Sequence, residues 1–323
     1  MNDKRLYFPN ADTYKIAAQL LHAGNIISFP TETVYGLGAD ARNSAAVAKI
    51  YAAKKRPQYN PLIVHVANIN AAHQYVILND LAKKMASAFW PGPFTMVLPL
   101  NKENRLSKLI TAGLDTVAIR VPENNIAQDL LDHFKGPIAA PSANRSGKIS
   151  PTTAAHVASE FGDELKMIID GGPCKKGIES TIVHVDGDQV TLLRPGNITV
   201  QDIESITNKT LLTAASDGEE IASPGQLESH YAPSTPMRLN ADHVNNDECL
   251  LAFGKTNLND GVFSLNLSPS GDLNEAAANL FSMMRELDKQ QFSSIAVSPV
   301  PATGLGLAIN DRLKRAAAPR DKK

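Results

Sequence analysis

Three features of the sequence predict a two-part α/β protein. Helical and extended patterns alternate through roughly the first 200 residues. A proline-containing stretch without helical period follows, and a second, shorter βα pattern begins at Cys249. At 323 residues the chain has length for about two domains. Its 43% hydrophobic and 20% charged residues argue against a disordered chain.

In the first part, Asp12 can cap a helix that carries Ile16, Leu20 and Leu21 on one stripe, and Gly24 ends it. Asn25 to Pro30 reads as a buried strand, Ser44 to Ala53 as a helix and Pro61 to Val66 as extended. A helix around Leu81 to Phe89 is broken by Trp90-Pro91-Gly92-Pro93. Strands follow at Phe94 to Leu98 and Val117 to Val121. STIVHVDGDQVTLLRPG reads as a hairpin with Asp186-Gly187 as its turn, because that pair tolerates positive φ. Ala214 to Glu220 is polar and acidic, and SPGQLESHYAPSTP carries three prolines, so this stretch reads as a connector. Beyond it CLLAFG, GVFSLNL and SSIAVSPV are strand-like, while Asn274 to Gln290 and Leu307 to Ala317 are helical.

Composition narrows the function. Thirty-two basic against 33 acidic residues leave a net charge of −1, which excludes a protein that binds nucleic acid by its overall field. Two cysteines exclude a disulfide framework and a four-cysteine metal cluster. No apolar run reaches the ~18 residues of a membrane span, and the N-terminus lacks a signal-like apolar core. The reading is a cytoplasmic protein with no membrane partner.

The common catalytic motifs are missing. Gly147-Lys148 and Gly254-Lys255 are not phosphate loops, and Gly36-Leu37-Gly38 with Ala41 only partly imitates a dinucleotide fingerprint. There is no HExxH and no G-x-S-x-G, and Cys174 sits in a turn with no base at hand.

A charge asymmetry is more telling. From Ala41 to Asn79 there is no acid, but Arg42, Lys49, Lys54, Lys55 and Arg56 are present. Consecutive cations at a helix C-terminus also suit a solvated cap. The nearby Asn60, and His65 within an apolar strand, tip the reading toward an anion site. Other polar groups sit where extended segments end: Thr31, Glu32 and Thr33, then Ser142, Asn144, Ser146 and Ser150. Glycines 36 and 38 and Ala139-Ala140 would let backbone approach a ligand there. Arg120 interrupts VAIRVP and needs an anionic partner, either a ligand or a structural carboxylate. From the residues alone this is an anion-binding α/β protein that handles a phosphorylated ligand.

At these residues the sequence resembles the YrdC-like threonylcarbamoyl-AMP synthases in their longer, two-domain form. The likeness runs through PTETVYGLG, KKRPQYNPLIVH, WPGPFT, TVAIRVP, PSANRSG, DGGPCKKGIESTIV, LLRPG, SPGQLESHYAP and GLGLAINDRLKRAA. Gln226 departs from a frequent methionine, and Asn240 to Ser270 matches only loosely. The resemblance implies an open twisted mixed sheet with a concave positive face in residues 1–207. A connector or lid over 208–240 and a smaller Rossmann-like α/β domain over 241–323 would follow. It implies synthesis of L-threonylcarbamoyl-AMP from L-threonine, bicarbonate and ATP with release of pyrophosphate. A partner complex would then transfer the threonylcarbamoyl group to the adenosine beside the anticodon of ANN-reading tRNAs. By the same resemblance Lys54, Arg56, Ser142 and Asn144 form the K-x-R and S-x-N catalytic pairs. Arg56, Asn60, Thr116, Ser142, Ser150, Arg194 and Tyr231 would hold ATP. Thr33, His65, Arg120, Ser180 and the backbone near Ala140 would hold threonine. Mg²⁺ would ride on the phosphates, not in a protein cage. The competing reading is an RNA-binding module with a basic concave face and no nucleotide chemistry. The near-neutral net charge makes any tRNA binding weak.

Overall fold

The computed structural model describes residues 3–213, 229–258 and 263–319. Strand β1 (Leu6–Tyr7) leads into helix α1 (Ala11–His22). The α1 cap is Asn10, whose side chain accepts from the Thr13 N–H. Asp12, expected in that role, lies in the first turn, where its charge complements the positive helix end.

Strand β2 (Ile27–Pro30) pairs antiparallel with β3 (Tyr35–Asp40). Gly36 and Gly38, expected in a ligand-approach loop, are therefore strand residues. A Cβ at Gly38 would lie 2.8 Å from Phe29 Cε1 and 3.1 Å from Ile138 Cγ2, so the close packing of the neighbouring strands demands glycine there.

Helix α2 (Ser44–Lys54) starts on an Asn43 cap and ends at Lys55 in the left-handed region, φ 50°. Next come β4 (Ile63–His65), α3 (Ile69–Ala72), α4 (Asp80–Phe89) and β5 (Phe94–Pro99). They are followed by α5 (Lys108–Thr111), β6 (Thr116–Arg120), α6 (Asn125–Phe134), β7 (Ile138–Ala139), α7 (Ala154–Phe161) and β8 (Ile168–Ile169). The hairpin is β9 (Thr181–Asp186) with β10 (Gln189–Arg194). Its pairing of Asp186 with Gln189 puts Gly187 and Asp188 in the turn, one residue later than expected, and Gly187 takes the positive φ of 52°. Helix α8 (Val200–Thr207) and β11 (Leu212–Thr213) close this part.

Among the described residues these strands form one mixed sheet in the order β1-β8-β2-β3-β7-β4-β6-β5-β9-β10-β11. A large core lies between the sheet and helices that include α2, α4 and α7. A second core, with Tyr14, Leu21, Phe29, Leu130 and Phe134, joins α1 and α6 to the sheet.

The second sheet comprises β12 (Met237–Arg238), β13 (Glu248–Ala252), β14 (Ser264–Asn266) and β15 (Ser294–Val297), accompanied by α9 (Leu273–Asp288) and α10 (Gly306–Ala317). Its pairings are all parallel, in the order β12-β15-β13-β14. Residue 237 falls within the segment read as connector. Much of the remaining connector, Ala214 to Glu220 and Gln226 included, lies outside the described residues. Helix α9 begins and ends slightly earlier than its apolar pattern suggested, because Asp272 caps it.

The core around the second sheet includes Val34, Ile149 and Ile178 of the first part, so apolar packing crosses between the two sheets. Gly177, at φ +72°, presses on α9 so closely that a Cβ would stand 2.4 Å from Ala277 O. This contact seats the Ile178–Ser180 loop against the second domain. No helix among the described residues is long and apolar enough to cross a membrane.

Candidate active site

The sheet brings several strand ends to one place. His65 ends β4 and Arg120 ends β6, and the parallel register sets them side by side. Thr95 on β5 pairs with Arg120 from the other side, and its hydroxyl lies 2.8 Å from that of Ser180. Gly36 bridges to Ser142. Carboxyl ends of parallel strands are where open α/β sheets collect ligands.

Five residues expected to hold threonine, Thr33, His65, Arg120, Ala140 and Ser180, wall one pocket. The same pocket is walled by Arg56, Ser142, Arg194 and Tyr231 from the expected ATP set. Among the described residues three arginines thus face one cavity whose walls carry a single carboxylate, Glu179. Each arginine is buried and held by its neighbours. Arg56 donates from Nη2 to Asn60 Oδ1 and to Pro61 O at 2.8 Å, and from Nε to Asn60 O at 3.1 Å. Burial lowers its pKa to about 10. Arg194 donates to Ser180 O at 2.9 Å and Ser180 Oγ at 3.2 Å, and burial lowers its pKa as well. Arg120 donates to Thr33 Oγ1 and Gly92 O and forms an ion pair with Glu32. The structural carboxylate is therefore present, and Arg120 still lines the pocket. Burial and, secondarily, Arg120 push the His65 pKa down to about 3, so that imidazole is neutral near pH 7.

The other expected residues stand behind or beside the wall. Lys54 is 1% exposed, and its Nζ donates to Ser142 O at 2.6 Å and to Asn144 O. Lys54, expected as a member of the K-x-R pair, fixes the Ser142–Asn144 turn. Lys55 is exposed, so the cation run divides between interior and solvent and is not a solvated cap. Asn144 is buried, accepts from Ser142 Oγ and donates to Arg145 O and Lys148 O. Asn60 backs Arg56, and Ser150 donates to Glu179 Oε1. Thr116 shares a face of β6 with Arg120 but lies four residues away, ~13 Å along the strand, outside the wall. Burial pushes the Cys174 thiol far up, consistent with a structural turn residue.

The described end of the connector closes one side. Tyr231 is fully buried with φ +62°, stacks on Phe281 at 5.3 Å and lies 5.4 Å from the Arg312 guanidinium. His230 packs on it edge to face at 4.0 Å. Among the described residues several buried polar atoms here have no hydrogen-bond partner: His65 Nδ1, His230 Nδ1 and Tyr231 Oη on the pocket wall, and Glu32 Oε2, Asn60 Nδ2 and Arg312 Nη2 behind it. Buried polar groups are rarely left unpaired in proteins, so their gathering around one pocket marks a place built to hold a polar ligand.

The family model described as "Telomere recombination", covering Sua5, YciO and YrdC, matches residues 19–196. The model described as "Threonylcarbamoyl-AMP synthase, C-terminal domain" matches residues 198–318. The chain belongs to the threonylcarbamoyl-AMP synthase family. It is 40% identical to the Bacillus subtilis threonylcarbamoyl-AMP synthase over 94% of this chain and 92% of that one. It is 38% identical to the Pyrococcus abyssi enzyme over 95% and 94% of the two chains. The structure of P. abyssi Sua5 complexed with L-threonine superposes with a TM-score of 0.87 at 34% identity, covering 97% of this chain and 96% of that one.

Two site residues escaped the sequence reading of this family member. Glu179 and His230 each stand next to an expected residue, Ser180 and Tyr231, but nothing in the sequence showed that they reach the pocket. Glu32 was visible at a strand end, and only the fold reveals its pairing with Arg120.

Proposed function

We propose that this chain joins L-threonine, bicarbonate and ATP into L-threonylcarbamoyl-AMP and releases pyrophosphate, acting in the cytoplasm. The observation that carries this reading is one pocket walled, among the described residues, by three buried arginines, neutral hydrogen-bonding groups and a single, already bonded carboxylate. Such a wall favours anions. Its lining offers two groups of donors that suit two substrates. Arg120, Thr33, His65 and Ser180 offer donors matched to an amino acid's carboxylate and hydroxyl. Arg56, Arg194, Ser142 and Tyr231 form the group suited to a triphosphate.

In the proposed reaction the threonine amine becomes a carbamate at the expense of bicarbonate, with water leaving and a proton passing to solvent. A carbamate oxygen then attacks the α-phosphorus, and the bond to the β,γ-pyrophosphate breaks. The chain's own groups would align the two reactants and offset charge on the phosphates; these effects supply most of the acceleration. Neutral His65 can hydrogen-bond the amino acid without adding charge.

Among the described residues no three His, Cys, Asp or Glu side chains gather to hold a metal ion. We propose that Mg²⁺ enters with ATP, held by phosphate oxygens and water. The product would pass to a complex that modifies tRNA, with direct tRNA binding weak.

The test is an omission series on the purified chain, following pyrophosphate and, by mass spectrometry, the adenylate. Product is expected only when ATP, Mg²⁺, bicarbonate and threonine are all present. Pyrophosphate release without threonine would overturn the assignment. Tight, steeply salt-dependent tRNA binding without turnover would favour the RNA-binding reading.

A further inference from the structure

Arg312 lies on α10, in the second domain, and is among the largest side chains that are completely buried. A guanidinium is costly to bury and stays only where partners compensate it. Here the partners come from every part of the molecule. Arg312 Nε donates to Glu179 Oε2 at 3.0 Å and Nη1 donates to Pro195 O at 2.8 Å, both in the first part. Nη1 also donates to Asp311 Oδ2 on its own helix at 2.8 Å. Its guanidinium carbon stands 5.4 Å from the ring centroid of Tyr231, the connector residue that walls the pocket, within cation–π range.

Glu179 is the consequence that matters. It is the carboxylate in the wall of an anion-binding pocket, where free negative charge would repel a triphosphate. Arg312 offsets that charge on Oε2, which leaves Oε1 to accept from Ser150 Oγ at 2.5 Å. One side chain of the second domain thereby fixes the carboxylate, the serine behind it and the aromatic ring that covers the phosphate end.

We propose that Arg312 is a positioning residue of the adenylation site, acting through Glu179 and Tyr231, and that the second domain is on this account a working part of the ATP site. The inference rests on the proposed synthesis of the adenylate and assigns a role to a residue outside the pocket wall.

The experiment compares full-length wild type with Arg312→Met, Arg312→Lys and Glu179→Gln. Steady-state pyrophosphate release is measured against ATP and threonine separately, and threonine binding alone by calorimetry. For Arg312→Met, kcat/KM for ATP is expected to fall ~10²-fold through misplacement of the phosphate end. The threonine dissociation constant should stay within about twofold, because the threonine end shares no partner with Arg312. Arg312→Lys retains charge without the planar fork and should recover activity in part. Arg312→Met made in the Glu179→Gln background should cost less than the product of the two single effects, since the residues act as one unit.

If Arg312→Met does not fold, Arg312→Lys and Glu179→Gln decide the matter by the same ATP-against-threonine split. Wild-type ATP kinetics in these variants, or equal losses for ATP and threonine, would overturn the proposal as a merely structural contact. Wild type lacking threonine-dependent pyrophosphate release would instead overturn the adenylation reading, and this proposal with it.

Discussion

Replacing Lys54 with methionine separates a lysine that builds the site from one that touches substrate. The Nζ has two carbonyl acceptors, Ser142 O at 2.6 Å and Asn144 O, and the Lys54 carbonyl in turn accepts from the Ser146 N–H at 2.8 Å. The end of α2 thus clamps the turn that carries Ser142 into the pocket wall. Lys54→Met leaves Asn144 O without a donor, at about 1–3 kcal/mol, and takes one of two donors from Ser142 O, which keeps the Asn144 N–H at 3.0 Å. Methionine returns part of this, because it fills the space of the stem and removes an ammonium whose pKa burial already drives well down. The balance is a loss of ~1–3 kcal/mol in stability by those magnitudes. Misplacement of the turn should lower kcat/KM for ATP by ~10²-fold. Urea unfolding and steady-state pyrophosphate release read the two effects. A variant with the wild-type urea midpoint and lost ATP affinity would refute the clamp and make Lys54 a direct phosphate contact. Full activity would refute any role.

Three more outcomes follow from the same structure. Gly38→Ala must push Phe29 and Ile138 aside, so it should destabilise the chain by about 1–3 kcal/mol in urea, and an unchanged midpoint would contradict the packing described. Arg120→Lys keeps charge but loses the fork, so threonine affinity should fall by at least ~10-fold while ATP affinity holds; parallel losses would count against separate substrate ends. The folded pKa values of His65, about 3, and His156, about 4, lie below their ordinary 6.5, as does that of His230. The unfolded chain therefore binds protons first as pH falls. Stability should be complete above pH 6.5 and decline toward pH 4, by up to ~1.4 kcal/mol per pH unit for each histidine. Unfolding midpoints that stay flat down to about pH 5 would show that these rings are solvated or partnered.

The sequence revealed the α/β alternation because apolar stripes such as Ile16, Leu20 and Leu21 repeat at helical spacing. It hid β3 because Gly36 and Gly38 look like loop punctuation until Phe29 is seen packed against them. Helix α6 buries Ala127, Leu130, Leu131 and Phe134 behind an Asn124 cap, a signal that was present and unread. The short β11 has only two residues, too few for any periodicity.

At the site, Arg56 and Arg120 stood out because charges within apolar strands and beside buried turns need partners. Lys54 carried the same signal but a different task, since sequence spacing cannot show which of two neighbouring cations faces a cavity. Glu179 and Arg312 were beyond reach for another reason. They are 133 positions apart, and only the packing of α10 against the first part joins them.

The most direct test of the account is a crystal structure with a nonhydrolysable ATP analogue and threonine bound together. The account predicts the triphosphate against Arg56 and Arg194 and the threonine carboxylate beside Arg120, in one continuous pocket. Either molecule bound elsewhere, with these arginines still engaged with their protein partners alone, would contradict it.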